Sequence, residues 1–309
     1  MSRIVIVGAG MAGLAAARRL ADAGLEPLVL DKGRGIGGRL STRRAEGAQF
    51  DHGAQYMSSK TDAFEKVLRM ATKAEAAAIW GPETSRRYVG HPGMNALPKW
   101  LARGIEVRLG VTVTAVRQGP GPFRLETTDG EVTADRLVLT PPVPQILDIL
   151  GPDHVLAPEL ARVSFAPCAT LMAITATDLP EVPETQQSRG EPIAWIARDH
   201  AKPGRPKKFA WVAQASPEWS RRHLELPKEA LAEAMVPLFC QCLGIAKEEV
   251  VYSAGHRWRF AHVERPLGKA FAASPDQRLY VAGDGCRGPR AEDAWLSGDA
   301  VAIDLLSRL

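Results

Sequence analysis

Cysteine is scarce in this chain, with four in 309 residues. That is too few for the disulfide framework of a small secreted domain. No apolar run approaches the ~18 residues needed to cross a bilayer. The chain also reaches Gly8 after only a few apolar residues, without the hydrophobic stretch of a signal peptide. Neither sign of charge dominates: 39 Lys and Arg against 35 Asp and Glu leave a net charge of +4, with a pI near 8.9. The basic residues are scattered, so neither a nucleic-acid stripe nor a polybasic membrane anchor is expected. There is no internal repeat and no low-complexity tract. The expectation is a soluble protein of a reducing cytoplasm, with neither nucleic acid nor membrane as partner. The composition, 45% hydrophobic and 24% charged, is that of an ordinary globular protein. A norm of about 150 residues per domain suggests two domains.

Residues 3–7 form an unbroken, largely β-branched run, the pattern of a parallel strand buried on both faces. It leads into Gly8-Ala9-Gly10-Met11-Ala12-Gly13, then an Ala- and Leu-rich stretch of helix formers that Gly24 closes. A second short strand ends at Asp31. This β-α-β unit is the first of a doubly wound sheet. Residues 61–79 read as one amphipathic helix, and 93–102 as another with Asn95 as its N-cap. Segments 105–109, 111–117, 123–127 and 131–133 read as a β-meander. Residues 136–140 form a buried strand stopped by Pro141, Pro142 and Pro144, the best candidate for a domain boundary. Further on, 193–198 and 209–215 form a long hairpin around a basic loop, 202–208, expected as a solvated tip. Residues 229–243 are helical with a kink or break at Pro237, and 250–253 and 256–260 are two strand-like pieces. The strand 279–282, the turn Gly283-Asp284-Gly285 and a helix over 292–306 return to the grammar of the N-terminus.

The glycine pattern follows a strand and opens a helix, which is the context a phosphate-binding turn requires. Gly8 permits the tight turn, Gly10 lets a pyrophosphate approach, and Gly13 lets helix and strand pack, while the amides of Met11 and Ala12 open the helix. Asp31 stands eighteen residues beyond Gly13, placed for ribose hydroxyls. It would repel a 2′-phosphate, and the alternative role is capping a turn. Past Lys32, Gly37 and Gly38 allow close passage of the chain, and Arg39 can reach the pyrophosphate as a charge-assisted donor. Asp284, after Gly283 at a strand-to-turn corner, suits a ribityl hydroxyl, which FAD has and NAD lacks.

These residues resemble the flavin-containing amine oxidase superfamily. The resemblance is carried by Gly37-Gly38-Arg39, by Asp51-His52-Gly53-Ala54-Gln55-Tyr56, by the Gly283-Asp284 turn and by Ala294-Trp295-Leu296-Ser297-Gly298. Within that superfamily, Asp31-Lys32, the 53–56 segment and Trp258-Arg259-Phe260 are similar to the renalases, bacterial ones in particular. The match is specific at both ends and thin between about 145 and 250. It implies an α/β fold of two domains, a Rossmann-like doubly wound FAD domain (1–62, 98–144 and 263–309) and a smaller substrate domain with a mixed or antiparallel sheet (63–97 and 145–262). It implies noncovalent FAD, adenine contacts from the backbone at Val113, and a flavin ring held between Gln55-Tyr56 and the start of the last helix at Ala294, Trp295 and Leu296. The activity implied is oxidation of 2- or 6-dihydro isomers of NAD(P) to β-NAD(P)+, with hydride passing to the flavin and dioxygen becoming hydrogen peroxide. A flavin amine oxidase or dehydrogenase acting on another small molecule is the first alternative, and a noncatalytic FAD-binding protein the second.

The chain departs from the monoamine and polyamine oxidases in having only four tyrosines, with Trp295 standing near the position of a cage tyrosine. Candidates for the substrate wall are Trp258, Trp295, His256, Trp195 and Trp211, with Arg257 or Arg259 for a substrate phosphate. His52, His91 and His223 are further candidate bases, although hydride transfer requires none. Cys240 and Cys242 read as buried small hydrophobes, because two thiols on a helix make no tetrahedral metal site alone. Cys286, beside the Gly283-Asp284 turn, is not expected to tether the flavin. No metal is expected.

Overall fold

The computed structural model describes residues 3–82, 86–188 and 190–309. The first apolar run forms β1 (Ile4–Val7), buried along its whole length, followed by helix α1 (Met11–Asp22) and β2 (Leu28–Asp31). β1 lies between β2 and the strand Arg136–Leu139, all parallel. Glu106–Leu109 extends the sheet beyond β2, and Leu279–Val281 extends it on the other side. Ala272–Ala273 closes that edge as an antiparallel strand. The sheet therefore reverses direction at β1, the switch point where such folds bind dinucleotides. α1 and the C-terminal helix Ala291–Leu306 pack on one face. The small sheet of Val113–Arg117, Phe123–Thr127 and Gly130–Ala134 covers the other. The helices Val143–Leu150 and Ala157–Leu160 join that second core.

Two local expectations are corrected. The 105–109 segment belongs to the parallel sheet, not the meander, because its backbone pairs with β2. The 61–79 helix ends early: it spans Asp62–Lys73, Glu75 turns at φ +57, and Ala77–Ile79 pairs with Tyr88–Gly90. Helix propensity favours these alanines locally, and tertiary pairing overrides it. Asn95 does stand at the N-cap of Ala96–Leu101, but its side chain caps nothing.

The second sheet is antiparallel, ordered Thr185–Gln187, Ile193–Arg198, Ala210–Ala215, Ser164–Thr175, Val250–Arg265. Its last strand is one 16-residue piece, where the sequence suggested two. Gly255 sits inside that strand because a Cβ there would come within 2.3 Å of the Lys228 carbonyl oxygen. That carbonyl opens the helix Lys228–Leu243, which runs unbroken through Pro237. The helix buries Leu231, Met235 and Phe239 against Leu171, Trp211 and Ala213 on one face of the sheet. The opposite face turns toward the parallel-sheet domain and meets Ala48 and Phe50. Among the described residues no helix is long and apolar enough to cross a membrane.

α1 and the C-terminal helix touch backbone to backbone at Gly298, where a Cβ would stand 1.9 Å from the Ala12 carbonyl oxygen. Neither helix can yield without repacking the core, so overpacking here costs roughly 1–3 kcal/mol. Gly298→Ala is expected to lower the thermal unfolding midpoint by several degrees. An unchanged Tm would mean that the helices part freely.

Candidate active site

The glycine turn has the geometry its sequence promised. Gly8 holds φ +106, and its N–H donates to the Leu30 carbonyl at 2.7 Å. A Cβ on Gly13 would meet the Gly8 carbonyl oxygen at 1.9 Å, whereas one on Gly10 would meet nothing within 4 Å. Gly13 is thus a packing glycine, and Gly10 faces open space. Leu14 is the first helix residue whose N–H bonds back to Gly10, which leaves the amides of Met11, Ala12 and Gly13 at the positive end of α1. Gly38, at φ +53, would place a Cβ 3.5 Å from the Gly10 Cα, so the second glycine loop crosses the first. This donor set fits the pyrophosphate of a dinucleotide.

Around this turn, Asp31 accepts the N–H of Ala9 and of Gly33, each at 2.6 Å. Each oxygen keeps a lone pair for a hydroxyl. Lys32 points away, donating to Gln145 Oε1 at 3.0 Å on the exposed side. Val113 opens its strand two residues after Val111, whose N–H bonds to the Asp31 carbonyl, so it stands at the Asp31 end of the sheet. Gly283 (φ +141) donates its N–H to Ser297. Arg39 and Asp284 meet as a two-pronged pair, 2.6 Å at each contact, with Arg39 also donating to the carbonyls of Phe260 and Ala261. The two ends of the chain are joined by that pair.

The face of the antiparallel sheet toward this region carries one cross-strand row. Gln187 stands opposite Trp195, Trp195 opposite Gln214, Gln214 opposite Thr170 and Thr170 opposite His256. Trp258, opposite Cys168, begins the next row. Beneath them runs the 51–56 turn. Trp258 Nε1–H donates to the His52 carbonyl and Gln214 to the Gly53 carbonyl, each at 2.7 Å. Between turn and sheet lies a cleft of about 280 Å³, walled by Tyr56 and Trp195, their ring centroids 5.9 Å apart, with Gln55, Gln187, Gln214 and Arg290. His52 and His256 stand 4.7 Å apart beside Trp258. Burial lowers their pKa values to about 4 and about 3, so both imidazoles are neutral.

Of the wall candidates, Trp195 lines the cleft, and Trp258 and His256 share its sheet face. The four others need correction. Trp211 is fully buried on the helix-covered face, its Nε1–H given to Thr175. Trp295 packs against Phe64 in the core between helices. Arg257 and Arg259 lie on the other face of the strand by its two-residue period, binding the Leu224 carbonyl and the Glu225 carboxylate. The start of the last helix is also shifted. Ala294 N–H is spent on the Arg290 carbonyl, so the unpaired amides of the first turn precede Ala294, Trp295 and Leu296. Cys240 is buried as expected, but Cys242 is exposed. Cys286 is buried, its thiol pushed up to about 12 by desolvation. Among the described residues no cluster of three or more His, Cys, Asp or Glu is placed to hold a metal ion.

The basic loop is the largest correction. Lys202 and Arg205 have no exposed side-chain surface. Arg205 binds Asp51 Oδ2 at 2.5 Å, and Lys202 Nζ lies 3.4 Å from the same oxygen, pairs with Asp199 and donates to Gln55 Oε1 at 3.2 Å. Asp51 Oδ1 accepts from Thr42 Oγ1 and the Met94 N–H, and the Asp51 N–H donates to Asp199. Burial alone would raise the Asp51 carboxyl, but the Lys202 and Arg205 charges outweigh it and hold it low. Burial raises Asp199, reinforced by the charge of Asp51. The loop's composition read as solvated, and no local signal paired it with Asp51.

Comparisons with known proteins agree with this geometry. A model of an NAD(P)-binding Rossmann-like domain matches residues 6–74, and that of the flavin-containing amine oxidoreductases matches 61–306. A Mycobacterium tuberculosis protein assigned as a flavin-containing monoamine oxidase is 44% identical over 70 residues, 23% of this chain and 15% of that protein. A zeta-carotene-forming phytoene desaturase of Myxococcus xanthus is 42% identical over 67 residues, 22% and 13% of the two chains. The matched stretches are thus a small part of these relatives. A protein from Exiguobacterium sp. 255-15, assigned as a protoporphyrinogen oxidase, shares the fold at a TM-score of 0.81 with 17% identity, covering 100% of this chain and 99% of its own. A putrescine oxidase with bound putrescine does so at 0.75 with 16% identity and 99% of both chains. The family's match over residues 61–306, together with the dinucleotide turn and the two-domain α/β architecture, places the chain in the flavin-containing amine oxidoreductase family, as an FAD-dependent oxidoreductase.

Proposed function

We propose that this protein is an oxidase of renalase type, taking 2- or 6-dihydro isomers of NAD(P) to β-NAD(P)+. The observation that carries this reading is the chemistry of the cleft. Two flat aromatic faces, Tyr56 and Trp195, stand beside the amides of Gln187 and Gln214, and the charged side chain in the lining is Arg290. The Arg87 guanidinium lies 5.0 Å from the Tyr56 ring centroid. Among the described lining residues there is no carboxylate to compensate a protonated amine, and burying an unpaired ammonium is costly. A dihydronicotinamide is flat, neutral at its ring, carries an amide and ends in phosphates, so each of these groups has a counterpart.

Bound FAD supplies a two-electron acceptor at its ring, and dioxygen, reduced to hydrogen peroxide, restores it. The residues of this chain hold and orient the reactants. The Met11–Gly13 amides and Arg39 serve the pyrophosphate, Asp31 the ribose and Asp284 the ribityl chain. Tyr56 and Trp195 pack against each other and together offer one aromatic wall to the donor ring. Loss of hydride turns a dihydronicotinamide into the aromatic cation without loss of a proton, so no base is required of His52 or His256.

Anaerobic mixing with candidate donors tests the reading. Bleaching of the flavin by a 2- or 6-dihydronicotinamide nucleotide, with β-NAD(P)+ as product, is expected. Its rate should be flat between about pH 6 and pH 8. An amine donor would give a rate rising about tenfold per pH unit there, because its reactive form is the deprotonated one. Bleaching by amines alone would overturn the proposal. If no donor reduces the flavin while FAD removal collapses the fold, the noncatalytic reading replaces it.

Arg290 is held through one nitrogen, Nη2, by the Ser58 carbonyl and hydroxyl oxygens and by the Glu292 carboxylate at 3.3 Å, and it lines the cleft. Arg290→Gln is expected to weaken reduction by the phosphorylated donor about tenfold or more, while a dihydronicotinamide riboside is little affected. Equal losses for both donors would remove Arg290 from phosphate binding. Asp284→Ala, which deletes the partner of Arg39, should weaken FAD retention about ten- to hundredfold, the worth of a charge-assisted hydrogen bond of roughly 1.5–3 kcal/mol. Titration of the apoprotein with FAD measures it, and an unchanged affinity would make Asp284 a turn former alone.

A further inference from the structure

Lys202 touches the cleft only through Gln55, and the Gln55 amide is fully committed. Its Nε2 donates to the Asp51 carbonyl at 2.5 Å and the Gly53 carbonyl at 3.0 Å, and its Oε1 accepts from Lys202 at 3.2 Å. Only one orientation satisfies all three contacts. A flipped amide would set its N–H groups against an ammonium and its oxygen against two carbonyls. Without the ammonium the amide oxygen has no donor among the described residues, and the amide is held by its N–H groups alone. The amide in turn fastens the 51–56 segment from inside. Elsewhere the segment is held by the carbonyls of His52 and Gly53, which accept from Trp258 and Gln214, and by the N–H groups of Asp51 and Ala54, which donate to Asp199 and to the Arg39 carbonyl. The backbone N–H groups of Gln55 and Tyr56 bond to no protein group among the described residues, and both residues line the cleft.

We propose that Lys202 is a positioning residue for the reaction: clamped between Asp199 and Asp51, its ammonium sets the Gln55 amide and so fixes the turn whose free amides face the ligand cleft. The lysine of a loop in the substrate-side sheet thereby controls the floor of a cleft built on the nucleotide domain. This rests on the cleft being the place of reaction and not on the identity of the donor.

A purely structural role would be charge balance, since Asp51 and Asp199 face Lys202 and Arg205. Two variants of the holoenzyme separate the roles. Lys202→Met alone leaves two buried carboxylates against one guanidinium and should be strongly destabilised. Adding Asp199→Asn restores neutrality and keeps a side-chain oxygen for the Asp51 N–H, while Met retains the hydrocarbon stem beside Trp80, whose ring lies 5.2 Å from Lys202 Nζ. The double variant is expected to recover the parent's Tm. The visible absorption band of its bound FAD should stay displaced, and the limiting rate of anaerobic flavin reduction should fall at least tenfold with little change in the donor concentration required. Gln55→Leu should give the same spectrum and rate with Lys202 intact, and should add nothing to the double variant. The spectrum needs no donor, so failure of the dihydronicotinamide reading leaves this test standing. A double variant with the parent's spectrum and rate would reduce Lys202 to charge balance. Should the double variant not fold, Gln55→Leu with the parent's spectrum and rate would overturn the proposal equally.

Discussion

A neutral group of four buried charges, Asp51 and Asp199 with Lys202 and Arg205, joins the two halves of this molecule. Each of the two cations comes from the connection between strands Ile193–Arg198 and Ala210–Ala215, and Asp51 begins the turn that floors the cleft. Such clusters are seldom strong sources of net stability, because desolvation consumes much of the attraction, yet removing one member leaves an uncompensated charge at a cost of roughly 3–5 kcal/mol. The consequence here is geometric. The sheet cannot slide over the nucleotide domain without breaking these contacts, so the width of the cleft between Tyr56 and Trp195 follows from where the charges meet.

A second constraint acts through the period of the strand. Residues Trp195, Gln214, Thr170 and His256 share one face because each stands opposite the next across the ladder. The same period sends Trp211 into the helix-covered core and Arg257 and Arg259 to the far side. Residues of one chemical type thus divide into cleft and scaffold by parity and not by composition. The depressed histidines belong to the same logic. They are buried where two elements meet, and desolvation keeps them neutral.

The Arg39–Asp284 pair does for the chain ends what the buried cluster does for the domains. It brings a loop after β2 against the corner that follows Leu279–Val281. Gly298 then lets the last helix lie directly on α1. A binding turn at the N-terminus and a helix start at the C-terminus become parts of one site because these two contacts tolerate no wider spacing.

The sequence by itself determined the nucleotide half. Gly8, Gly10, Gly13 and Asp31 act through the conformation and spacing of neighbouring residues, and a β-α-β unit is a local object whose pattern can be read within about thirty residues. Helix and strand identities were legible wherever the apolar period was clean. They failed where pairing overrode propensity, as at Ala77–Ile79, and at Glu106–Leu109 the strand was legible but not the sheet it joins, since a backbone partner leaves no mark on its own strand. The cleft was decided by tertiary structure alone. Which tryptophans face it depends on register, and register depends on ladders between segments far apart in the chain. The basic loop shows the limit most clearly. Lys202 and Arg205 are hydrophilic in any local reading, and only the approach of Asp51, some 150 residues away in the chain, supplies the opposite charge that makes their burial possible.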